Sequence, residues 1–178
     1  MKYIFYLLAI IFLLSLNLGL FNNLQIKGQI PNLLFLFSLF FAFEKKDLDF
    51  FFVSFFCGLA LDFFSTTFFG SFTLSFLIIT LGLNLFVNNF AVVELNWKTL
   101  SLSLLLCLFA LDLLLWLYTA MAFKLNWTQD FSGFTQYLSV FAPSFFYNLL
   151  LLYPVYLFAN FLKNFTDSLS VRRRSVIR

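Results

Sequence analysis

Two aspartates are the residues best placed to do chemistry in this chain. Asp62 stands in the segment "CGLALDFF" (57–64) and Asp112 in "CLFALDLL" (107–114), each inside an apolar run. Two carboxyl groups held together beside water can share one proton and serve as general acid and base, the arrangement of an aspartyl protease. That chemistry requires both side chains at one depth and facing one cleft. Little else in the sequence could catalyse a reaction. There is no histidine, so the commonest general base and metal ligand are both absent. No Ser–His pair, zinc motif or phosphate-cradling glycine loop occurs. Cys57 and Cys107 are single residues within apolar runs and spell no metal site. No cofactor is implied.

The remaining polar residues fall at helical spacing. Ser54, Gly58 and Asp62 recur every fourth residue and share one helix face, a small-and-polar stripe that lets another helix approach closely. Thr80, Asn84 and Asn88 repeat the spacing further on, and Ser144 with Asn148 offers a third patch. These stripes are expected to point inward, with Asp62 finding a hydroxyl, amide or water partner among them. Structural glue is the plainer role for both aspartates. Asp112, whose surroundings form a Leu-rich wall, has the weaker claim to anything more. The fifty-residue echo between the two segments is put down to chance in a chain so rich in Leu, Ala and Phe.

The elements that carry these residues follow from composition. Hydrophobic residues make up 62% of the 178 and charged residues 11%, with 31 phenylalanines. A soluble domain of this size lacks the interior to hide that much apolar surface. A bilayer core about 30 Å thick, crossed by about 20 residues of helix, can accept it. The expectation is an all-α, polytopic membrane protein with spans at 3–21, 31–45, 50–69, 71–87, 100–121 and 134–162 and a basic tail at 163–178. Pro31 suits the first turn of the second span, whose apolar part is only 31–43 and short for a crossing. Gly70 marks the loop between the third and fourth spans, and Pro143 and Pro154 interrupt the sixth.

Six spans with a cytoplasmic amino terminus place Lys2, Lys45, Lys46, Lys98, Lys163, Arg172, Arg173, Arg174 and Arg178 inside and only Lys27 and Lys124 outside. Five spans, with the second segment not crossing and the amino terminus outside, score equally, because Lys2 and Lys27 merely exchange sides. The arginines of the tail anchor this orientation, or touch anionic lipid. Nothing points to nucleic acid, since the net charge of +3 comes from these membrane edges. Asp62 lies twelve residues beyond Phe50, as Asp112 does beyond Leu100, so the two are expected at similar depth. A mid-membrane Asp costs roughly 2.5–3.5 kcal/mol, which the Phe, Leu and Val of 50–69 outweigh at about −0.3 to −0.6 kcal/mol each. The carboxyl must then face protein, water or a partner rather than lipid.

From Pro31 through the charged turn "EKKDLD" (44–49), the Gly58-Leu59-x-Leu61-Asp62 segment and the Ser-containing loop to Gly70, the chain resembles the rod shape-determining protein MreD. It departs from that pattern at Asn32, where many relatives carry an acid, and in a turn without glycine. The resemblance implies a non-enzymatic bacterial inner-membrane protein of the cell-elongation machinery, folded like the substrate-binding subunits of energy-coupling-factor transporters, with six helices around a central cavity. It implies MreC as partner and, through it, MreB and the peptidoglycan synthase, with Gly58 and Asp62 shaping the helix core or a pocket. Two alternatives stay open. One is the vitamin-binding transporter subunit itself, although Ala9 and Leu13 break the small-x-x-x-small pattern of its first span. The other is the intramembrane aspartyl protease, although "GLALD" lacks the Gly-x-Gly-Asp of the presenilin and prepilin peptidase type.

Overall fold

A computed structural model describes residues 2–25, 30–43, 49–65, 68–89, 97–125 and 134–176. Every regular element among them is helical: α1 (Lys2–Gly19), a 3-10 turn (Phe21–Leu24), α2 (Leu33–Ala42), α3 (Asp49–Phe64), α4 (Ser71–Asn89), α5 (Trp97–Lys124) and α6 (Phe134–Val176). Four of these, α1, α4, α5 and α6, are long and apolar enough to cross a membrane. The charged turn expected at 44–49 and the loops around Lys27 and Trp127 lie largely outside the described residues.

The shortest helix is the centre of the molecule. All ten residues of α2 are buried, and it packs against α1, α3, α4 and α6. A helix apolar on every side has no preferred outward face, so it is stable only when enclosed. At 1.5 Å per residue α2 is about 15 Å long, half the thickness of a bilayer core. Pro31 does not open the helix as expected. It precedes the N-cap Asn32, whose side chain accepts from the Phe35 N–H at 3.0 Å, so α2 starts at Leu33. The outer helices show the reverse pattern. Ile4, Leu8, Ile11 and Phe12 of α1 and Leu74, Ile78, Leu81 and Leu85 of α4 are exposed, at spacings that make each set one apolar stripe.

α3 ends at Phe64, five residues short of the expected span, because the chain turns there to start α4. The Ser71 N–H bonds the Phe68 carbonyl at 3.0 Å, and Gly70, third residue of that turn, has φ +95°. Positive φ at this position is the type II turn requirement, met without strain only by glycine. Nothing surrounds the place where a Gly70 Cβ would sit, so the backbone angle alone decides the cost of adding one. Gly70→Ala is expected to lose about 1–2 kcal/mol, read as an earlier unfolding midpoint in mixed detergent micelles.

At the other extreme, α6 runs unbroken through Pro143 and Pro154 and through most of the stretch expected as a separate tail. A proline deletes one N–H, and inside a helix bundle neighbouring groups can take over the freed carbonyl.

Candidate functional site

Asp62 occupies the last turn of α3, not its middle, and it is 4% exposed. Its carboxylate accepts hydrogen bonds from the backbone N–H of Phe72 at 2.9 Å and of Thr73 at 3.0 Å, and from the Thr73 hydroxyl. Phe72 and Thr73 are the second and third residues of α4, whose first-turn amides have no partner inside their own helix. One side chain of α3 therefore caps the positive end of α4, as an N-cap acid would from within the helix. The partners are not the Thr80, Asn84 and Asn148 stripes expected from the sequence. They are backbone groups and one threonine, because the hairpin brings the end of α3 to the start of α4.

At Gly58, one turn earlier on the same face, the backbone of α4 approaches α3 too closely for a side chain. A Cβ built there would lie 2.5 Å from Thr73 Cα and 2.9 Å from Thr73 N. Ser54, a further turn back, is fully buried, and its Oγ has no hydrogen-bond partner among the described residues. Gly58 admits the backbone, Asp62 fastens it, and Gly70 reverses the chain: three residues build one α3–α4 clasp.

The other polar candidates hold α2 at both ends. Asn148 of α6, 1% exposed, accepts from the Asn32 N–H at 2.8 Å and donates to the Ser144 carbonyl at 2.8 Å. Asn84 of α4 donates to the Ala42 carbonyl at 3.0 Å, and Asn88 in turn donates to Asn84 at 3.0 Å. A donor and an acceptor freed at the two ends of a buried ten-residue helix are thus met by asparagines from its neighbours. Thr80 serves only its own helix, donating to Phe76 at 2.7 Å. Asn148→Leu is expected to leave the Asn32 amide without an acceptor and cost about 1–3 kcal/mol. Faster hydrogen exchange at the start of α2, with the far end unchanged, would be its signature.

A cluster that the sequence reading missed lies at the opposite end. Lys2 Nζ sits 2.8 Å from both carboxylate oxygens of Asp49, and the Tyr6 hydroxyl donates to the same carboxylate at 3.2 Å. Asp49 is buried in the first turn of α3, so α1 and α3 begin at the same end of the bundle. A separation of 47 residues leaves no local signal for this pair.

Asp112 is not brought to Asp62. It is the sixteenth of 28 residues in α5, which packs on α4 and α6, whereas Asp62 closes the end of α3. Asp62 lies 13 residues past the start of α3 and two before its end, whereas Asp112 lies 15 residues past the start of α5 with 12 more to follow. Asp112 is half-buried and has no hydrogen-bond or ion-pair partner among the described residues. Among those residues no group of three or more Cys, Asp or Glu side chains is placed to hold a metal. A cleft of about 310 Å³ opens at the side between α4 and α5 and is walled by Phe43, Leu83, Phe86, Val87, Leu102 and Leu106. Its walls offer almost no polar anchor for a small molecule.

Fold and site define a protein that is all-helical in its described residues and built around a short buried helix, with four other helices long and apolar enough to cross a membrane. No protein-family model, curated protein or solved structure matches the chain.

Proposed function

We propose that this chain is a non-enzymatic, six-span integral protein of the bacterial inner membrane, of MreD type, acting as a helical platform in the cell-elongation machinery through MreC. The observation that carries the reading is the α3–α4 clasp. The Gly58-Leu59-x-Leu61-Asp62 segment, the core of the resemblance, spends its polar atoms on joining two helices. A motif of that kind defines an architecture without a reaction, as a partner-binding platform requires.

The membrane setting is supported by the exposed apolar stripes of α1 and α4, which in water would be an aggregation hazard and in a bilayer are the lipid face. Six spans are favoured over five by the Lys2–Asp49 ion pair. The five-span arrangement puts those residues on opposite sides of the bilayer, whereas six spans put both in the cytoplasm with the basic carboxyl-terminal segment. α2 and α3, at 10 and 16 residues, then cross as short central helices shielded by longer neighbours. The vitamin-subunit alternative draws less support, since α2 fills the centre where a vitamin pocket would be needed. The protease alternative draws less still, with Asp62 fully engaged and Asp112 on a helix that does not pack on α3.

Depletion of the protein in its own host is expected to turn rods into spheres, with wild type restoring shape and MreC co-purifying with it. Cells that stay rod-shaped on depletion, or a vitamin and a coupling ATPase recovered in place of MreC, would reverse this conclusion.

A further inference from the structure

We infer that Asp112 is the docking point for a transmembrane helix of another protein, one that carries a lysine or arginine at mid-depth. The inference rests on the membrane setting proposed above and goes beyond it by naming a site and the chemistry of its occupant. Asp112 lies 15 residues after Trp97 and 12 before Lys124, so about 22 Å and 18 Å of helix separate it from the two ends of α5. That depth is beyond the reach of a short aspartate side chain to either membrane surface. Every other aspartate buried in the described structure is satisfied: Asp49 by Lys2 and Tyr6, Asp62 by the first turn of α4. Asp112 alone among them has no hydrogen-bond or ion-pair partner among the described residues.

Its surroundings point outward. Leu105, Phe109 and Leu113, one or two turns away or adjacent, are exposed, and the Phe109 ring meets Phe141 of α6 at 5.8 Å. Leu108 and Leu111 are buried on the other side, so the half-buried carboxyl lies near the α5–α6 seam, at the edge of the exposed apolar face. A carboxyl facing hydrocarbon is expensive unless a donor reaches it. A second copy of this chain cannot supply a cation. Copies in one membrane share an orientation and meet at equal depth, and no Lys or Arg occurs between Lys98 and Lys124 of α5 or between 134 and 162 of α6. The complementary group must come from a different helix.

The test uses the full chain in phosphatidylcholine vesicles, with energy transfer to synthetic single-span Leu/Ala peptides bearing one central Lys or, as control, a central Leu. Wild type is expected to bind the Lys peptide about ten-fold more tightly than the Leu peptide, and Asp112→Leu to abolish that preference. Because Asp112 makes no internal bond, the variant should keep the wild-type melting midpoint and size-exclusion profile. Four results would overturn the inference: no Lys preference in wild type, a preference surviving Asp112→Leu, loss of self-association on that substitution, or failure of the variant to fold. Resistance to alkaline carbonate extraction is scored on the same vesicles. Failure there brings down the membrane reading and this inference with it, while insertion without Lys preference brings down this inference alone.

Discussion

Replacing Asp62 with leucine is expected to destabilise the protein by about 3–5 kcal/mol, the largest loss available from one polar side chain here. The substitution strands the Phe72 and Thr73 amides, at about 1–3 kcal/mol each, and removes the negative charge at the α4 amino terminus, worth about 0.3–1 kcal/mol more. Asp62→Asn keeps one acceptor oxygen in place and should cost about half as much. Thr73→Val, which deletes only the hydroxyl, leaves both amide bonds and should cost about 1 kcal/mol. The order Leu, then Asn, then the threonine variant is the content of the prediction, measured as unfolding midpoints in mixed micelles. Equal effects from all three would mean that the carboxylate does not act as a cap. Under the proposed MreD-type role, recovery of MreC should fall in the same order.

The cost falls on backbone groups, and that explains what the sequence could and could not reveal. Asp62 was legible as an inward-facing acid, because its face carries Ser54 and Gly58 and its neighbours are apolar. Its partners were not legible, since every residue but proline has an N–H and residue type says nothing about which one is free. Thr73 did leave a trace. It stands seven residues before Thr80 and eleven before Asn84, so the polar stripe of α4 begins one turn or more earlier than the stretch that drew notice. Hydropathy located α1, α4 and α5 to within a few residues, because long apolar runs between polar segments have few alternatives. It located α2 but left its surroundings open, for a physical reason. A helix apolar all round looks alike whether lipid or protein encloses it, and a run of ten to thirteen residues looks deficient until its neighbours are known to surround it. The prolines of α6 misled in the opposite direction: a rule learned from helices in water overstates the break where neighbouring helices can compensate. In the sequence Asp49 and Lys2 belong to a charged turn and to the amino-terminal end, and only folding brings them together.

Gly58→Ala should cost about as much as Asp62→Asn, although it adds a single methyl group. The new Cβ would fall 2.5 Å from Thr73 Cα, 2.9 Å from Thr73 N and 3.1 Å from Phe72 C, all backbone atoms that cannot swing aside. The start of α4 must retreat, and overpacking of this kind costs about 1–3 kcal/mol. The atoms that retreat include the Thr73 amide that donates to Asp62, so the methyl group also stretches the cap. Coupling follows from that shared target. In Gly58→Ala/Asp62→Asn the second change removes contacts the first has already weakened, and the double variant should fall short of the summed single losses by about 1 kcal/mol or more. Gly82→Ala is the control. No atom lies within 4 Å of its built Cβ, and it sits inside α4, where alanine favours helix over glycine by about 0.8–1.0 kcal/mol. That substitution should leave stability unchanged or raise it. If Gly58→Ala behaved as Gly82→Ala does, α3 and α4 could not approach as closely as 2.5 Å from a Cβ to a neighbouring Cα implies, and the α3–α4 clasp would lose its geometric basis.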